Sequence, residues 1–260
     1  MNKSEKRLYL IKELIKENRS YEDITIPQTS QEQEHLLRGL MNIRRPREIS
    51  AEFLKIQDEY LTEINNEKGI VSINDLEPIC ENIYLWQGDI TTLKCDAIVN
   101  AANSGLTGCY IPNHRCIDNC IHSFAGIELR LECAEIMKKQ GYEEPTGQAK
   151  ITKAYNLPCK YVIHTVGPIV GRELTKQHCQ LLKSCYNSSL KLAEENKLES
   201  IALCCISTGE FHFPNDKACE IAVNTVKEYM KNATYIKKVI FNVFKEQDRE
   251  IYEKLLRANR

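Results

Sequence analysis

The first 75 residues place their apolar side chains only at helical spacing. Leucine, isoleucine and aromatic residues recur three and four positions apart in three groups, which predicts three amphipathic helices. The groups are Leu8, Ile11 and Ile15; Leu36, Leu37 and Leu40; and Phe53, Ile56, Tyr60, Leu61 and Ile64. A polar, irregular stretch from Thr25 to Gln33 separates the first group from the second. Residues 1–75 are therefore predicted to form a helical extension, because such faces need a surface to pack against.

From residue 76 to residue 260, short apolar runs alternate with helical periodicity. The alternation predicts a second, α/β unit, in which helices cover both faces of a layered sheet. Ligands bind in such sheets beyond the carboxyl ends of the strands. The predicted strands are Ile83–Trp86, Ala97–Val99, Gln148–Ala154, Tyr161–Val166, Ile201–Ile206 and Val239–Phe244. The predicted helices lie near 118–140, 175–196, 215–231 and 247–258, and Gly141 is well placed to end the first of them.

Composition narrows the class of protein. Apolar residues make up 42% of the 260 residues, and the formal net charge is -1, which argues against the basic surface of a nucleic-acid-binding protein. No run of eighteen apolar residues predicts a membrane span, and the charged N-terminus lacks the apolar core of a secretory signal. We therefore expect a cytoplasmic protein whose twelve cysteines are thiols.

Two asparagines follow the apolar run Ala97-Ile98-Val99 and begin a segment rich in chemically active side chains. Each amide of Asn100 and Asn103 offers two donors and an acceptor, which suits a hydroxyl-rich ligand such as a sugar. Either residue alone is also a common turn residue at a strand end. The pair, separated by two alanines, favours an edge that faces a ligand.

A cluster of metal-binding residue types follows on the same loop. Cys109, His114 and Cys116 offer three zinc ligands with a fourth position open, as in catalytic zinc sites. Chance clustering among twelve cysteines is the alternative. His122, His164 and His212 are further candidates, and each also fits a helix, strand or loop without a metal.

Two other strand ends carry weaker signals. Gly88-Asp89-Ile90-Thr91 reads either as a turn capped by Asp89 or as an acceptor site for the exocyclic amine of adenine. Ser207-Thr208-Gly209 lies between a strand and a helix, where backbone N–H groups can bind phosphate. An ordinary loop remains the alternative for this segment, which lacks a Walker lysine.

Four of these segments, in this order, resemble the macrodomain family, which binds ADP-ribose. The resemblance spans about residues 80–258, and it implies a three-layer α/β/α fold with a mixed sheet. Residues 116–126 are similar to the segment that opens the first long helix of hydrolytic macrodomains. Where these have a glycine-rich loop, this chain has Gly108 to Cys116, which resembles the zinc-dependent branch found in bacteria and some fungi, as does the helical extension. The four segments are Gly88–Thr91, Asp96–Asn103, Tyr161–Pro168 and Ile206–Gly209.

The resemblance also implies which residues bind the adenine and the diphosphate. Asp89 would accept a hydrogen bond from the adenine amine, Ile90 would contact the base through its backbone, and Phe244 would stack on the ring, although a strand aromatic is more often part of a core. The diphosphate would be wrapped by one loop, in which Glu210 is unlike the aliphatic residue common in the family, so its side chain is expected to point away. That loop comprises Ser207, Thr208, Gly209, Glu210 and Phe211.

At the other end of the ligand, the resemblance implies the catalytic groups. Asn103 would bind the distal ribose, and Asp118 would orient or deprotonate the nucleophile. A Zn2+ ion would be held by Cys109, His114 and Cys116. These implied roles describe a hydrolase that cleaves at the distal ribose.

The activity that the resemblance implies is zinc-dependent removal of mono-ADP-ribose from Asp and Glu side chains of modified proteins. In some bacteria such enzymes are linked to a sirtuin-type transferase that modifies a lipoyl-carrier protein, which is therefore a possible substrate. Two alternatives use the same site: a non-catalytic reader of ADP-ribosylated protein, and a hydrolase of small esters such as O-acetyl-ADP-ribose. Neither a nucleic acid nor a membrane is expected as a partner.

Overall fold

The computed structural model describes residues 1–258, and their main body is one six-stranded sheet with helices packed against it. The helices are α1 (Lys3–Lys16), α2 (Ser30–Ile43), α3 (Ala51–Glu67), α4 (Ile117–Ala125), α5 (Ile127–Gln140), α6 (Lys176–Glu195), α7 (Asn215–Met230) and α8 (Glu246–Ala258). The strands are β1 (Val71–Ser72), β2 (Ile83–Gln87), β3 (Leu93–Lys94), β4 (Ala97–Ala102), β5 (Ala149–Lys153), β6 (Tyr161–Val166), β7 (Ser200–Leu203) and β8 (Lys238–Val243).

The strand order in the large sheet is β2-β8-β7-β4-β6-β5. The first five strands are parallel, and β5 at the edge runs antiparallel to β6. Helices α4 and α5 contact β4 and β5, α6 packs on β5, β6 and β7, α8 packs on β2 and β8, and α7 packs between α6 and α8. The prediction of a three-layer α/β/α fold with a mixed sheet is thereby confirmed. Because the parallel strands point the same way, their carboxyl ends meet along one edge.

The three N-terminal helices, which lie within the predicted extension, share an apolar core of their own. Leu10, Ile11, Leu14 and Phe53 are buried in it, and Ile127 of α5 joins the same cluster. Leu8 and Ile15 are only partly exposed at its margin, so the buried face of α1 is rotated from the predicted one. The stretch from Thr25 to Gln33, predicted as irregular, ends before Ser30. Helix α2 begins there, because the Thr29 side chain caps it by accepting from the N–H of Glu32.

Buried polar side chains join the extension to the sheet domain. The Arg130 guanidinium donates to the backbone carbonyls of Met41, Asn42 and Arg44 at 3.1, 2.7 and 2.7 Å, which satisfies carbonyls at the C-terminus of α2. Asn65 of α3 donates to the backbone carbonyl of Phe124 at 3.0 Å. The extension therefore packs on the domain through specific hydrogen bonds as well as apolar contact.

The helix predicted over 118–140 is two helices, and that prediction was wrong. Gly126 separates α4 from α5 with φ of +101°, a conformation that only glycine adopts readily. A Cβ atom there would lie 2.7 Å from Nε2 of Gln57, whose Oε1 accepts from the N–H of Ile127 at 2.9 Å. The break is therefore set by a contact with α3. Gly141 ends α5 in the left-handed conformation, as predicted.

Two strand ends also differ from the prediction. Strand β4 continues to Ala102, so Asn100 lies within the strand and not after it. Strand β7 ends at Leu203, which leaves residues 204–206 outside the strand. The short pair β1 and β3 was not predicted. Within residues 1–258, we find no helix that combines the length and apolar character needed to cross a membrane.

Candidate active site

Four neighbouring strands bring the predicted ligand-binding residues to one edge of the sheet. Asp89 follows β2, Phe244 follows β8, Ser207 follows β7 and Asn103 follows β4. The order of these strands in the sheet is the order in which an extended ligand would meet the four residues. The loop with Cys109, His114 and Cys116 lies between β4 and α4, at the Asn103 end of this edge.

Asn100 does not face a ligand, contrary to the sequence prediction. It is fully buried in β4 beside His164 of β6, its partner across the sheet. Its amide nitrogen donates to Oδ1 of Asp118 at 2.8 Å and lies 3.1 Å from Nδ1 of His164. A buried amide must find partners inside the protein, and Asn100 thereby orients the Asp118 carboxylate.

Asp118 lies in the first turn of α4, as predicted, and is buried at the base of the site. Its Oδ2 accepts from the amide nitrogen of Asn103 at 3.4 Å, and that nitrogen also donates to the backbone carbonyl of Gly108 at 3.1 Å. Burial raises the pKa of Asp118 to about 6, against the opposing effects of Asn100 and Arg130. The structure thus places the two predicted catalytic residues, Asp118 and Asn103, in direct contact.

The loop of residues 109–116, called here the metal-binding loop after its predicted role, brings the three candidate metal ligands together. Ligand atoms of Cys109, His114 and Cys116 all lie within 4.8 Å of one another. Nδ1 of His114 is 3.5 Å from Sγ of Cys109. Cys116 is the N-cap of α4, where its sulfur accepts from the N–H of Asn119 at 3.4 Å. The start of α4 therefore fixes one end of the cluster.

These distances fit a zinc ion with three protein ligands. Usual Zn–S and Zn–N bond lengths place the sulfur and nitrogen of a tetrahedral site about 3.6 Å apart. Burial raises the pKa of the Cys116 thiol to about 12, and the adjacent Cys109 and Asp118 raise it too, although the N–H of Asn119 lowers it. A divalent cation would offset that cost, because it stabilises both thiolates at once. The donor set of two sulfurs and an imidazole is one that zinc favours.

A second cluster lies behind Asp118, where His122, Cys133 and His164 are all buried. Because Asn100 donates to Nδ1 of His164, the proton of that ring sits on Nε2, which lies 2.9 Å from Oγ1 of Thr152. Burial lowers the pKa of His164 to about 3 and that of His122 well below its usual value. His164 is therefore a neutral residue whose two ring nitrogens both have hydrogen-bond partners within the protein.

His122 lies one helical turn after Asp118. Its Nε2 is 3.6 Å from Oδ1 of that carboxylate. The ring packs against Gly108, where an added Cβ would lie 2.8 Å from it. His122 thus fills the space between Asp118 and the start of the metal-binding loop. The other sequence candidate, His212, is exposed and adopts φ of +55° in the loop after β7.

At the opposite end of the edge, Asp89 is paired with a residue that the sequence analysis missed. Its Oδ2 lies 2.7 Å from Nζ of Lys68 at the end of α3, and its Oδ1 accepts from the N–H of Thr91 at 3.0 Å. Burial alone would raise the pKa of Asp89, but Lys68 and Thr91 lower it below its usual value. The ionised carboxylate is only partly buried, so it can also accept from a ligand. Ile90 beside it is buried.

The same corner includes Trp86, the only tryptophan of the sequence. Its indole ring lies against Gly88, where an added Cβ would come within 2.5 Å of the ring. Phe244 is 75% exposed, so the alternative of a core role is excluded for it. An exposed aromatic ring beside Asp89 is suited to stack on a planar base.

The loop after β7 has the features of an anion-binding loop. Ser207 adopts φ of +66°, and its buried Oγ has no hydrogen-bond partner in the part of the chain that the structure describes. Gly167 allows this close approach, because a Cβ there would lie 2.1 Å from that oxygen. The backbone N–H groups of residues 208–211 donate to no other group among residues 1–258. Such a row of N–H groups is suited to phosphate.

The side chains of this loop differ in their surroundings. Thr208 donates through Oγ1 to the backbone carbonyl of Cys205 at 3.1 Å. Gly209 is exposed and Phe211 is partly buried. The Glu210 side chain is 73% exposed, and its Oε1 lies 3.7 Å from Nε2 of His114, so it extends toward the metal-binding loop.

Comparison with known proteins identifies the family. Residues 99–222 match the family model described as Macro domain. A protein from Treponema medium named protein-ADP-ribose hydrolase is 55% identical, and the match covers 98% of this chain and 100% of that protein. The chain belongs to the macrodomain family. A Staphylococcus aureus relative of the same name is 49% identical over 94% of this chain and 92% of its own length.

Solved macrodomain structures share the fold. A Trypanosoma brucei macrodomain in complex with ADP-ribose has a TM-score of 0.65 at 31% identity, and it covers 81% of this chain and 92% of its own. An Oceanobacillus iheyensis macrodomain variant with ADPR has a TM-score of 0.64 at 35% identity, over 71% of this chain and 97% of its own. The sequence-based resemblance to macrodomains is therefore confirmed.

Proposed function

We propose that this macrodomain is a zinc-dependent hydrolase that removes mono-ADP-ribose from Asp and Glu side chains of modified proteins. The observation that carries the proposal is the convergence of a three-ligand metal loop, Asp118 and Asn103 at one end of the ligand-binding edge. The full-length relatives from Treponema medium and Staphylococcus aureus, both named protein-ADP-ribose hydrolase, support the hydrolase class.

Different residues along the sheet edge bind the adenine, the diphosphate and the distal ribose of the ligand. Asp89 accepts from the adenine amine, the backbone of Ile90 contacts the same base, and Phe244 stacks on the ring. The loop from Ser207 to Phe211 binds the diphosphate through its N–H groups, while the Glu210 side chain points away toward His114. Asn103 binds the distal ribose. These contacts bind substrate and transition state about equally, so they set affinity more than rate.

The reacting end of the ligand lies between the metal loop and Asp118. Zinc held by Cys109, His114 and Cys116 would supply a Lewis acid at the distal ribose. Asp118, held by Asn100 and Asn103, orients or deprotonates the nucleophile. Hydrolysis of the ester consumes one water and yields free ADP-ribose, the protein carboxylate and a proton. The lipoyl-carrier protein implied by the family resemblance stays a prediction for the substrate.

The proposal is tested with a protein that carries radiolabelled ADP-ribose on Asp and Glu side chains. We expect the intact enzyme to release the label, the chelator-treated enzyme to lose this activity, and added zinc to restore it. O-acetyl-ADP-ribose is assayed in parallel, and its faster turnover would make small esters the main substrate. Binding of the modified protein without release of the label would make the protein a reader.

The ligand assignment is tested by two substitutions of one residue. Cys116→Ser keeps an N-cap for α4 but replaces the thiolate, whereas Cys116→Ala removes both. We expect one zinc per chain in the unmodified protein and reduced zinc in both variants. Unchanged zinc content in both would remove Cys116 from the ligand set.

A further inference from the structure

Arg38 of helix α2 reaches from the extension into the metal-binding loop. Its Nη2 donates to the backbone carbonyl of His114 at 2.8 Å and to Oδ1 of Asn119 at 2.9 Å. Its Nε donates to Oγ of Ser123 at 3.3 Å. One guanidinium thereby ties α2 to the peptide of a metal-binding residue and to helix α4. The planar arrangement of its donors makes arginine suited to such bridging.

Asn119 extends this contact to the other end of the loop. It is fully buried, and its amide nitrogen donates to the backbone carbonyls of Cys109 at 3.3 Å and Ile111 at 3.0 Å. Its Oδ1 is the atom that accepts from Arg38. The pair of Arg38 and Asn119 therefore holds the peptides of both Cys109 and His114.

Two more contacts from α2 hold the middle of the loop. Oδ1 of Asn42 accepts from the N–H of Asn113 at 2.9 Å, where the backbone has φ of +55°. The loop also packs directly on Gly39, since a Cβ there would lie 3.0 Å from Nδ2 of Asn113. Glycine in a helix interior is otherwise unfavourable, and here it permits the close approach.

The aromatic residue of the loop is held in the same way. The ring of Tyr110 lies between two guanidinium groups, that of Arg45 after α2 at 4.7 Å and that of Arg130 at 4.4 Å from the ring centre. Both contacts are within the range of cation–π interactions. Residues 110, 113 and 114 are thus each contacted by a side chain of α2 or of the segment that follows it.

We propose that helix α2 is a structural part of the metal centre, and that Arg38 is the positioning residue that holds the loop ready for zinc. The inference rests on the proposed function, because it concerns the same metal site. An eight-residue loop that is ordered before the ion arrives does not lose its chain entropy on binding. The charge of Arg38 does not oppose binding strongly, because two thiolates neutralise the ion that they hold.

The test compares the zinc affinity and the zinc release rate of the full-length protein and its Arg38 variants. Apparent affinity is measured by competition with a chromogenic chelator, and the release rate by zinc transfer to excess chelator. We expect Arg38→Ala to weaken zinc binding by about 10–100-fold, the range for residues that orient metal ligands, and to release zinc faster. Arg38→Lys should restore part of the affinity, because one ammonium keeps the charge but not all three contacts.

The control is Arg19→Ala, which removes an exposed arginine of the same extension. It should match the unmodified protein in both measurements. Equal zinc affinity and release rate in folded Arg38→Ala would overturn the positioning role, and if that variant does not fold, Arg38→Lys decides by the same comparison. Absence of zinc from the unmodified protein would overturn the metal site itself. Tight zinc binding without hydrolysis would contradict only the proposed function.

Discussion

The Asp118 carboxylate is held on several sides before any ligand binds. Asn100 donates to one oxygen and Asn103 to the other, while His122 fills the space beside it. A carboxylate fixed in this way needs little reorganisation during a reaction, which is where an enzyme gains rate. We therefore expect the loss of Asp118 to affect turnover more than affinity.

We expect Asp118→Asn to lower the rate of ADP-ribose release by at least about 100-fold, which corresponds to about 2.7 kcal/mol of barrier. The amide has nearly the same shape, but it cannot accept a proton. ADP-ribose affinity, measured by calorimetry, should change little, since the proposed adenine and diphosphate contacts come from the loops after β2, β7 and β8. Turnover close to that of the unmodified enzyme would exclude a catalytic role for this carboxylate.

Asp89 is expected to act on affinity. Asp89→Ala should weaken ADP-ribose binding by about 1–3 kcal/mol, the scale of one hydrogen bond to a charged group. Calorimetry measures the change, and circular dichroism checks that the fold is intact. A dissociation constant that does not change in the folded variant would place the adenine elsewhere.

The pair of Lys68 and Asp89 should also contribute to stability in a pH-dependent way. The folded-state pKa of Asp89 is lowered, so its contribution is present above the unfolded value of about 3.9 and is lost as the pH falls through the lower folded value. Lys68→Met should therefore be less stable than the unmodified protein at pH 7, with a difference that shrinks below about pH 4. Urea unfolding at both pH values measures this, and a constant difference would contradict the ion pair.

At the scale of elements, the break between α4 and α5 depends on one glycine. Gly126→Ala should destabilise the protein by at least about 3 kcal/mol. The backbone conformation there is restricted to glycine and costs about 1–3 kcal/mol for another residue, and the new Cβ would also clash with Gln57. Gly141→Ala is the control for a left-handed glycine without a clash, since Gly141 has φ of +79° and nothing within 4 Å of an added Cβ. It should cost about 1–2 kcal/mol, the scale for a non-glycine residue in the left-handed conformation. Denaturant unfolding compares the two, and equal losses would show that Gln57 does not matter.

Elements with a local pattern could be predicted from the sequence, and those set by distant contacts could not. Strand β6 was predicted with its correct bounds, because β-branched and aromatic residues occupy most of Tyr161–Val166. Strand β4 was predicted too short, because Asn100 interrupts the apolar run and its partners Asp118 and His164 come later in the chain. The same applies to the helix break at Gly126, which Gln57 determines.

In the candidate site, too, residues with a local sequence pattern were predicted and residues that act through distant contacts were not. The clustering of Cys109, His114 and Cys116 follows from their spacing on one loop, and the structure brings them together. The role of Lys68 beside Asp89 had no local signal, because a lysine at the end of a charged helix is usually solvated. Arg38 likewise contacts a loop that begins about seventy residues later.

At the scale of the whole molecule, hydrogen bonds between polar side chains and backbone carbonyls join the extension to the sheet domain. We expect limited trypsin digestion to cut the exposed segment after α2, near Arg47, while both fragments stay together during size-exclusion chromatography. The reason is the set of bonds from Arg130 to the end of α2, which persists after such a cut. Rapid loss of the N-terminal fragment, with a stable and equally active remainder, would show that the extension is a detachable tail.

The position of Trp86 gives the protein an optical reporter. Since the sequence has no second tryptophan, selective excitation at the red edge of the absorption band reports on this one ring. The ring lies against Gly88, one residue from Asp89, so a purine that stacks nearby would alter its emission. Ligand arrival at this corner can therefore be followed in the unlabelled protein on the stopped-flow timescale, independently of any assay of the reaction.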